Sequence, residues 1–297
     1  MANVIVINQN VLFNKRKNMR ILGISRGLIY SPNLVGNDAA IFTAVVDELR
    51  ALGHEVKTIR EEKMTEVDYD QFDRVVTMAR NGEMMRRLGE NETEKFVNSL
   101  NGGLICQSKA MLALEMERLG IPQPRFQCGH GNDVYYESEP GMALMPVWLK
   151  NSDETAVTSD DILFCKTEKE YEKAMLKYRR WGVDTWLLQE HQTGDLVKFY
   201  GVEGTDFFHW QYASSGHSKF GLEKINGTPK GYSFDVKLMK AYANQLAKSL
   251  DTPIYGGDVV IGKNGEMWFI DFNDFPSFSS CREQAAKAIA KRVAGNS

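Results

Sequence analysis

The chain has no uninterrupted apolar run long enough to span a bilayer, so no membrane partner is expected. It also lacks a basic excess. Its 36 Lys and Arg stand against 39 Asp and Glu, a net charge of −3, which excludes general nucleic-acid binding, because that depends on clustered cations neutralising phosphates. Cysteine is scarce. Cys106, Cys128, Cys165 and Cys281 are widely spaced, with no C-x-x-C pair, so neither a zinc knuckle nor a redox motif is readable and reduced, buried thiols are expected. Cys128-Gly129-His130 has no second half to complete a metal site. There is no G-x-G-x-x-G, which removes the phosphate-binding turn of a nicotinamide enzyme. What remains, 43% hydrophobic and 25% charged residues over 297 positions, is the composition of a soluble globular enzyme of two or three units, expected in the cytoplasm.

The most informative stretch is Ile254 to Ser280, IYGGDVVIGKNGEMWFIDFNDFPSFSS. Two apolar runs flank Lys263-Asn264-Gly265-Glu266, and Asn-Gly signals the two-residue type I′ turn of a β-hairpin. With Asn264 and Gly265 as the turn, Lys263 pairs with Glu266, and the constant index sum sets Asp258 opposite Asp271. Alternation then places Asn273 on the same face as Asp271. Directly opposed carboxylates repel one another, so the arrangement asks for a cation. Two carboxylates and an amide oxygen suit a hard one, Mg²⁺ or Mn²⁺.

Residues 1–18 carry an apolar stretch followed by Lys15, Arg16 and Lys17, the wrong charge order for a secretory signal. They read as an appendage, with Met19 an alternative start. Arg20 to Ser25 is predicted as a strand, and Asp38 to Leu52, closed by Gly53, as a helix. The loop between them follows a strand's carboxyl end, where parallel α/β sheets bind ligands, and makes Ser25, Arg26, Ser31 and Asn33 candidate substrate contacts. Strands at His54 to Ile59, Arg74 to Met78 and Gly103 to Cys106, alternating with helical patterns such as Glu83 to Leu88, complete a parallel α/β domain over residues 19–120. Ser108 caps a helix to Leu119, and Gly120-Ile121-Pro122-Gln123-Pro124 opens a linker over 121–142. Beyond it the pattern is α+β. Strands are expected at Ala143 to Lys150, Asp161 to Lys166, Thr185 to Gln189, Leu196 to Val202 and Phe207 to Tyr212, and helices at Glu168 to Arg179, Val236 to Leu250 and Gln284 to Val293. These divide into subdomains at 143–190 and 191–297.

After Met19, and most closely from Lys150 to Pro276, these features resemble the ATP-grasp superfamily. Its pattern is an N-terminal α/β domain, a Gly-Ile-Pro-x-Pro hinge and two α+β subdomains that hold ATP between them. Its acidic motif, D…(D/E)-x-N-x-x-P, is matched by Asp258, Asp271, Asn273 and Pro276. The resemblance implies that Asp258, Asp271 and Asn273 hold Mg²⁺ or Mn²⁺, and that Lys109 and Lys150 contact nucleotide phosphates. A strand-end ammonium is a compact cation suited to that task. In LLQEHQTGDLVKFYGV the resemblance assigns Gln189 to the nucleotide site, backbone bonds to adenine at Glu190 and His191, a ribose acid at Asp195 and a basic group near the γ-phosphate at Lys198. Lys198 shares a strand face with Leu196 and Tyr200. For a further basic residue Lys219 and Lys224 both qualify, and Lys224 stands with the nucleotide contacts. Arg282, opening the last helix, is an anionic-substrate contact. One departure is plain. The family's glycine-rich phosphate loop is replaced by the glycine-free NSDETAVTSD, Asn151 to Asp160, in which Ser152, Thr155 and Thr158 are the available donors.

The function so implied is an ATP- and Mg-dependent ligase, carbon–nitrogen bond formation foremost, with Lys198 and Arg282 at the reacting end. It would activate a small-molecule or peptide carboxylate as an acylphosphate for attack by an amine or thiol. The alternatives are a small-molecule kinase of the inositol-phosphate branch and a non-catalytic nucleotide-binding regulator. A homodimer is admitted.

Overall fold

The computed structural model describes residues 18–30, 35–90, 94–140, 145–153, 158–213 and 225–295. Its first unit is a three-stranded parallel sheet of β1 (Arg20–Ser25), β2 (Glu55–Arg60) and β3 (Arg74–Thr77), with β1 in the middle. Central position explains the run of fully buried Ile21, Leu22 and Ile24. Helix α1 (Val35–Ala51) buries Ile41, Val45, Val46 and Leu49 at helical spacing. Helix α2 is Gly82–Gly89.

The strand expected at Gly103 to Cys106 is a helix instead, α3 (Leu100–Gln107). Ser99 caps it through the Gly102 N–H at 3.3 Å. A Cβ on Gly102 would lie 1.9 Å from the Leu250 carbonyl oxygen, and one on Gly103 2.8 Å from the Met85 methyl. The Gly-Gly pair therefore marks close packing of a helix, where it reads in sequence as a break. In the sheet, a single parallel bridge between Val75 and Phe96 flanks β3.

Helix α4 (Lys109–Arg118) follows the expected Ser108 cap. The region expected as a linker over 121–142 holds two strands, β4 (Phe126–His130) and β5 (Asp133–Glu137). They join β6 (Val147–Asn151), β7 (Ile162–Cys165) and β8 (Thr185–Glu190) in a five-stranded antiparallel sheet ordered β5-β4-β8-β6-β7. Strand β5 is largely exposed, so it carries no apolar alternation to betray it. Helix α5 (Glu168–Trp181) packs Ala174, Met175 and Tyr178 against this sheet.

The third sheet is also antiparallel and contains β9 (Asp195–Val202), β10 (Phe208–Tyr212), β11 (Ile254–Ile261) and β12 (Met267–Asp274) in the order β10-β9-β11-β12. Phe199, Phe269, Phe272 and Tyr255 build its core with Met239 and Leu246 of α6 (Val236–Ser249). The last helix, α7 (Arg282–Val293), leaves this unit and packs on α1 in one core around Ile289, Ile41 and Phe278. The C-terminal segment thus returns to the first unit. The three sheets meet around one cleft. No described helix is long and apolar enough to cross a membrane.

Candidate active site

The hairpin at the centre of the cleft differs from its expected form in two ways that cancel. Gly262 N–H donates to the Glu266 carbonyl at 2.8 Å, so the loop is Lys263 to Gly265, with Gly265 at φ 87°, and not the two-residue turn. That slips the register by one, as Ile261 opposite Met267 and Val259 opposite Phe269 show. A β-bulge between Asp258 and Val259 leaves Ile270 as the extra residue and restores Asp258 opposite Asp271. The bulge also turns the Ile270 carbonyl towards the Lys150 ammonium, at 3.1 Å.

Each carboxylate of the pair has a lysine beside it. Lys198 lies across from Asp258 on β9 and donates to it at 3.1 Å. The Lys109 ammonium pairs with Asp271 Oδ1, and the Asn273 amide donates to Asp271 Oδ2 at 2.9 Å. Burial pushes the Asp271 carboxyl up, but Lys109, through charge and hydrogen bond, and then Lys150 hold it down at about 2. Lys150 is itself buried, and burial, opposed by Asp271, lowers its ammonium to about 8. Its second partner is Gln189 Oε1, at 2.7 Å. Gln189 is 1% exposed, and its Nε2 has no partner among the described residues, although Gln189 lines the cleft. An amide donor is thereby presented to the cleft.

The cleft encloses about 310 Å³, within the range of small-ligand sites. Lys109, Lys150, Gln189, Glu190, His191, Lys198, Asp258, Asp271 and Asn273 all line it. Leu196 and Tyr200 share this wall with Lys198, as the strand alternation requires. The backbone donors assigned to adenine are already used. Glu190 N–H donates to the Arg125 carbonyl at 2.9 Å and His191 N–H to the Pro146 carbonyl at 3.0 Å, so these residues meet the cleft by other atoms. The Glu190 carboxylate takes Arg125 at 2.9 and 3.1 Å, and His191 Nδ1 accepts from the Trp148 indole at 3.1 Å. Burial lowers the His191 pKa.

Other expected contacts lie elsewhere. The Asp195 carboxylate, 3% exposed, accepts the backbone N–H groups of Lys230, Gly231 and Tyr232 at 2.7 to 2.8 Å. It anchors that segment and does not line the cleft, which overturns the ribose role; Gln192 and Asn226 line that end. Arg282 also falls outside the lining and binds Asn37 Oδ1 at 3.1 Å, tying α7 to α1. Ser152 Oγ is spent on the Ala110 N–H at 2.7 Å and on Ser108 at 3.0 Å, and Thr158 caps the turn that contains Asp161. Neither is a spare phosphate donor. Ser25 Oγ donates to the Ile59 carbonyl at 3.3 Å. Ser31, Asn33, Thr155, Lys219 and Lys224 lie outside the described residues.

Arg26 does line the cleft, beside a residue the sequence reading passed over, Arg80 at the carboxyl end of β3. The strand-end rule that marks Arg26 would have marked Arg80 equally. Arg80 forms a buried pair with Asp274 at 2.9 Å and also bonds the Asp274 carbonyl. Ser277 and Ser279, in the loop after β12, complete this end. Phe275 and Phe278 in that loop hold φ of 35° and 47° and are fully buried. Such conformations persist in bulky residues only where the surroundings enforce them.

Among the described residues no group of three or more His, Cys, Asp or Glu is placed to hold a metal. The candidate set is two carboxylates and an amide. Its donors are oxygens of the kind a hard cation prefers, so the donor set fits Mg²⁺ or Mn²⁺, while Lys109 and Lys198 supply the counter-charges of the two carboxylates in this structure.

Solved structures share this architecture over more than nine-tenths of the chain. The chain is similar to a RimK domain ATP-grasp protein from Sphaerobacter thermophilus, with TM-score 0.64 and 16% identity over 92% of this chain and 99% of that one. It is similar to the D-alanine–D-alanine ligase of Bacillus anthracis complexed with ATP, with TM-score 0.64 and 11% identity over 93% and 99%. The D-alanine–D-alanine ligase of Coxiella burnetii gives TM-score 0.65 and 13% identity over 93% and 94%. No family model matches the chain, and no curated protein matches it in sequence. The chain has the ATP-grasp fold.

Proposed function

We propose that the protein is an ATP-dependent ligase that joins a carboxylate to an amine. The observation that carries this reading is the opposition of Asp258 and Asp271 in the bulged hairpin, with Lys109, Lys150 and Lys198 converging on it. Two neighbours by fold are ligases, and one of those is an ATP complex. ATP would lie between the two antiparallel sheets, its base near Trp148, Gln189 and Gln192 and its phosphates among the lysines. Asp258, Asp271 and Asn273 would hold Mg²⁺ or Mn²⁺, which supplies charge neutralisation at the β- and γ-phosphates.

In this reading a carboxylate oxygen of the substrate attacks the γ-phosphorus and the bond to ADP breaks. An amine then attacks the acyl carbon and phosphate leaves. Phosphoryl transfer asks little covalent chemistry of the protein. Lysine ammonium groups fixed before ATP arrives, Lys109 and Lys198 on carboxylates and Lys150 on an amide and a carbonyl, are preorganised donors for the transferring group. Against a kinase of inositol phosphates, the cationic side chains of the cleft are offset by Asp38, Asp258, Asp271 and Asp274, which leaves little net charge for a polyanion. An ADP-release screen of carboxylic acids crossed with amines tests the proposal. ADP formed only with both supports ligation; ADP with one hydroxyl compound alone would establish a kinase, and binding without turnover a regulator.

A further inference from the structure

The carboxylates that the proposed function gives to a divalent cation are already in use. The Lys109 ammonium takes Asp271 Oδ1, and the Asn273 amide takes Oδ2 at 2.9 Å. On the neighbouring strand Lys198 lies 3.1 and 3.5 Å from the two oxygens of Asp258. Every oxygen of the opposed pair thus faces a donor of this chain, and a divalent cation has to compete for the same lone pairs. These are not loose surface contacts. The Lys109 and Lys198 side chains are 10% and 18% exposed and both carboxylates 24%, so separating either pair without a new counter-charge leaves partly buried ions uncompensated.

Position adds an argument for Lys109. It opens α4, at the positive end of the helix dipole, where an ammonium is disfavoured. Its place serves the cleft and not the helix, since the side chain reaches across to β12 and joins residues 162 positions apart. Charge then decides what can enter. Lys109, Lys150 and Lys198 stand around Asp258 and Asp271, which leaves this end of the cleft with an excess of positive charge. A divalent cation entering beside those ammonium groups is repelled, and a triphosphate entering by itself meets two acids. Together they remove both conflicts, because the ammonium groups pass to phosphate oxygens and the carboxylate oxygens are released to the cation.

We propose that Lys109 and Lys198 are exchangeable counter-ions that close the metal site. Each leaves its carboxylate only when a phosphate receives it, so divalent cation and nucleotide bind as a pair and the chain by itself holds the cation weakly. This rests on the nucleotide reading of the cleft, and it gives the two lysines a task apart from contact with phosphate, that of keeping bare metal out.

Metal binding measured without nucleotide isolates that task, because Mn²⁺ and ATP also associate with one another in solution. Titration of Mn²⁺ with the full chain, followed by electron paramagnetic resonance of the free ion, should show weak binding by wild type and about tenfold tighter binding by Lys109→Gln, whose Asp271 has lost its counter-charge. Lys198→Gln should act in the same direction through Asp258. Adding a non-hydrolysable ATP analogue should raise Mn²⁺ affinity less in these variants than in wild type. Variants that bind Mn²⁺ no more tightly than wild type overturn the exchange and leave the ligase reading intact, and so does a gain that survives when Asp271→Asn is added to Lys109→Gln, since the ion then lies elsewhere. Tightened variants in a chain that releases no ADP with any acid and amine sink the ligase reading and leave the exchange standing. Should neither lysine variant fold, the Nζ resonances of Lys109 and Lys198 in the wild-type chain decide the matter. They should hold their positions with Mg²⁺ alone and shift with Mg²⁺ and the ATP analogue together; a full shift with Mg²⁺ alone, or none with both, overturns the exchange.

Discussion

At the scale of single residues, position along a strand located most of the cleft, and partners decided what each residue does there. Lys150, Lys198, Asp258, Asp271 and Asn273 were legible because strand alternation and pairing are periodic. Asp195 was not, since its carboxylate turns towards a backbone segment more than 30 positions away in sequence, a contact that no local pattern encodes. Asp195→Asn should cost about 2 to 3 kcal/mol of stability through lost charge-assisted bonds, with the preference for ATP over 2′-deoxy-ATP unchanged. A thermal melt and a competition assay check both, and a lost ribose preference would reinstate the sugar contact. Lys150→Ala should weaken ATP by roughly 2 kcal/mol, about thirtyfold, with adenosine almost unaffected. Because burial lowers the Lys150 pKa to about 8 from 10.5, the folded chain binds fewer protons than the unfolded chain between those values. The energetic cost of holding the charged lysine is therefore fully present below pH 8 and relieved as pH rises towards 10.5. ATP binding should show the opposite trend, weakening as pH rises through 8 with proton uptake on binding, measured by calorimetry in buffers of different ionisation enthalpy. Lys150→Arg should lack this dependence.

At the scale of elements, the central hairpin shows what pattern does and does not encode. The Asn-Gly signal placed the turn correctly, but turn type and register depended on a bulge at Ile270 that has no signature in WFID. The bulge sets the chemistry. Deleting Ile270, the extra residue, should leave Asp258 opposite Asp271 with Asn273 on the same face but remove the carbonyl that holds Lys150, so calorimetry should show nucleotide binding weakened about tenfold with its dependence on metal kept. Gly257 is a second constraint of the same kind, since a Cβ there would lie 2.3 Å from the Asp271 carbonyl oxygen and 2.5 Å from the Phe199 ring. Gly257→Ala should cost about 1 to 3 kcal/mol through forced displacement of these atoms, read as a lower denaturation midpoint. Elements with clear apolar periodicity, such as α1 and α5, were legible. Strand β5 and helix α3 were not, because exposure erased the alternation in one case and close packing demanded glycines in the other; β4 buries Phe126 and Cys128 but carries that alternation over only three residues before Gly129.

At the scale of the whole molecule, the α/β and α+β halves were evident from the order of their elements, but the return of α7 to α1 was not, because an Ala-rich helix does not name its partner. That return fixes the strained loop from Asp274 to Ser280 between units, where Arg26 and Arg80 bond the Phe275 and Asp274 carbonyls. The five-stranded sheet reaches the rest through fewer polar ties, among them Ser152 with Ser108 and Ala110 and Lys150 with the Ile270 carbonyl. Nucleotide with Mg²⁺ should draw that sheet towards the Asp258 hairpin, as lids that exclude water do. Solution scattering with and without a non-hydrolysable ATP analogue should record a smaller radius of gyration in the bound state; identical dimensions would contradict the closure.

The central claim is that the opposed acids of the hairpin make nucleotide binding depend on a divalent cation. Calorimetry of ATP binding in Mg²⁺ and in a chelator, on the wild-type chain and on Asp271→Asn, tests it most directly. Wild type should bind ATP tightly only with Mg²⁺, and the variant weakly in both conditions. A variant that keeps the wild-type dependence on Mg²⁺ would contradict the account.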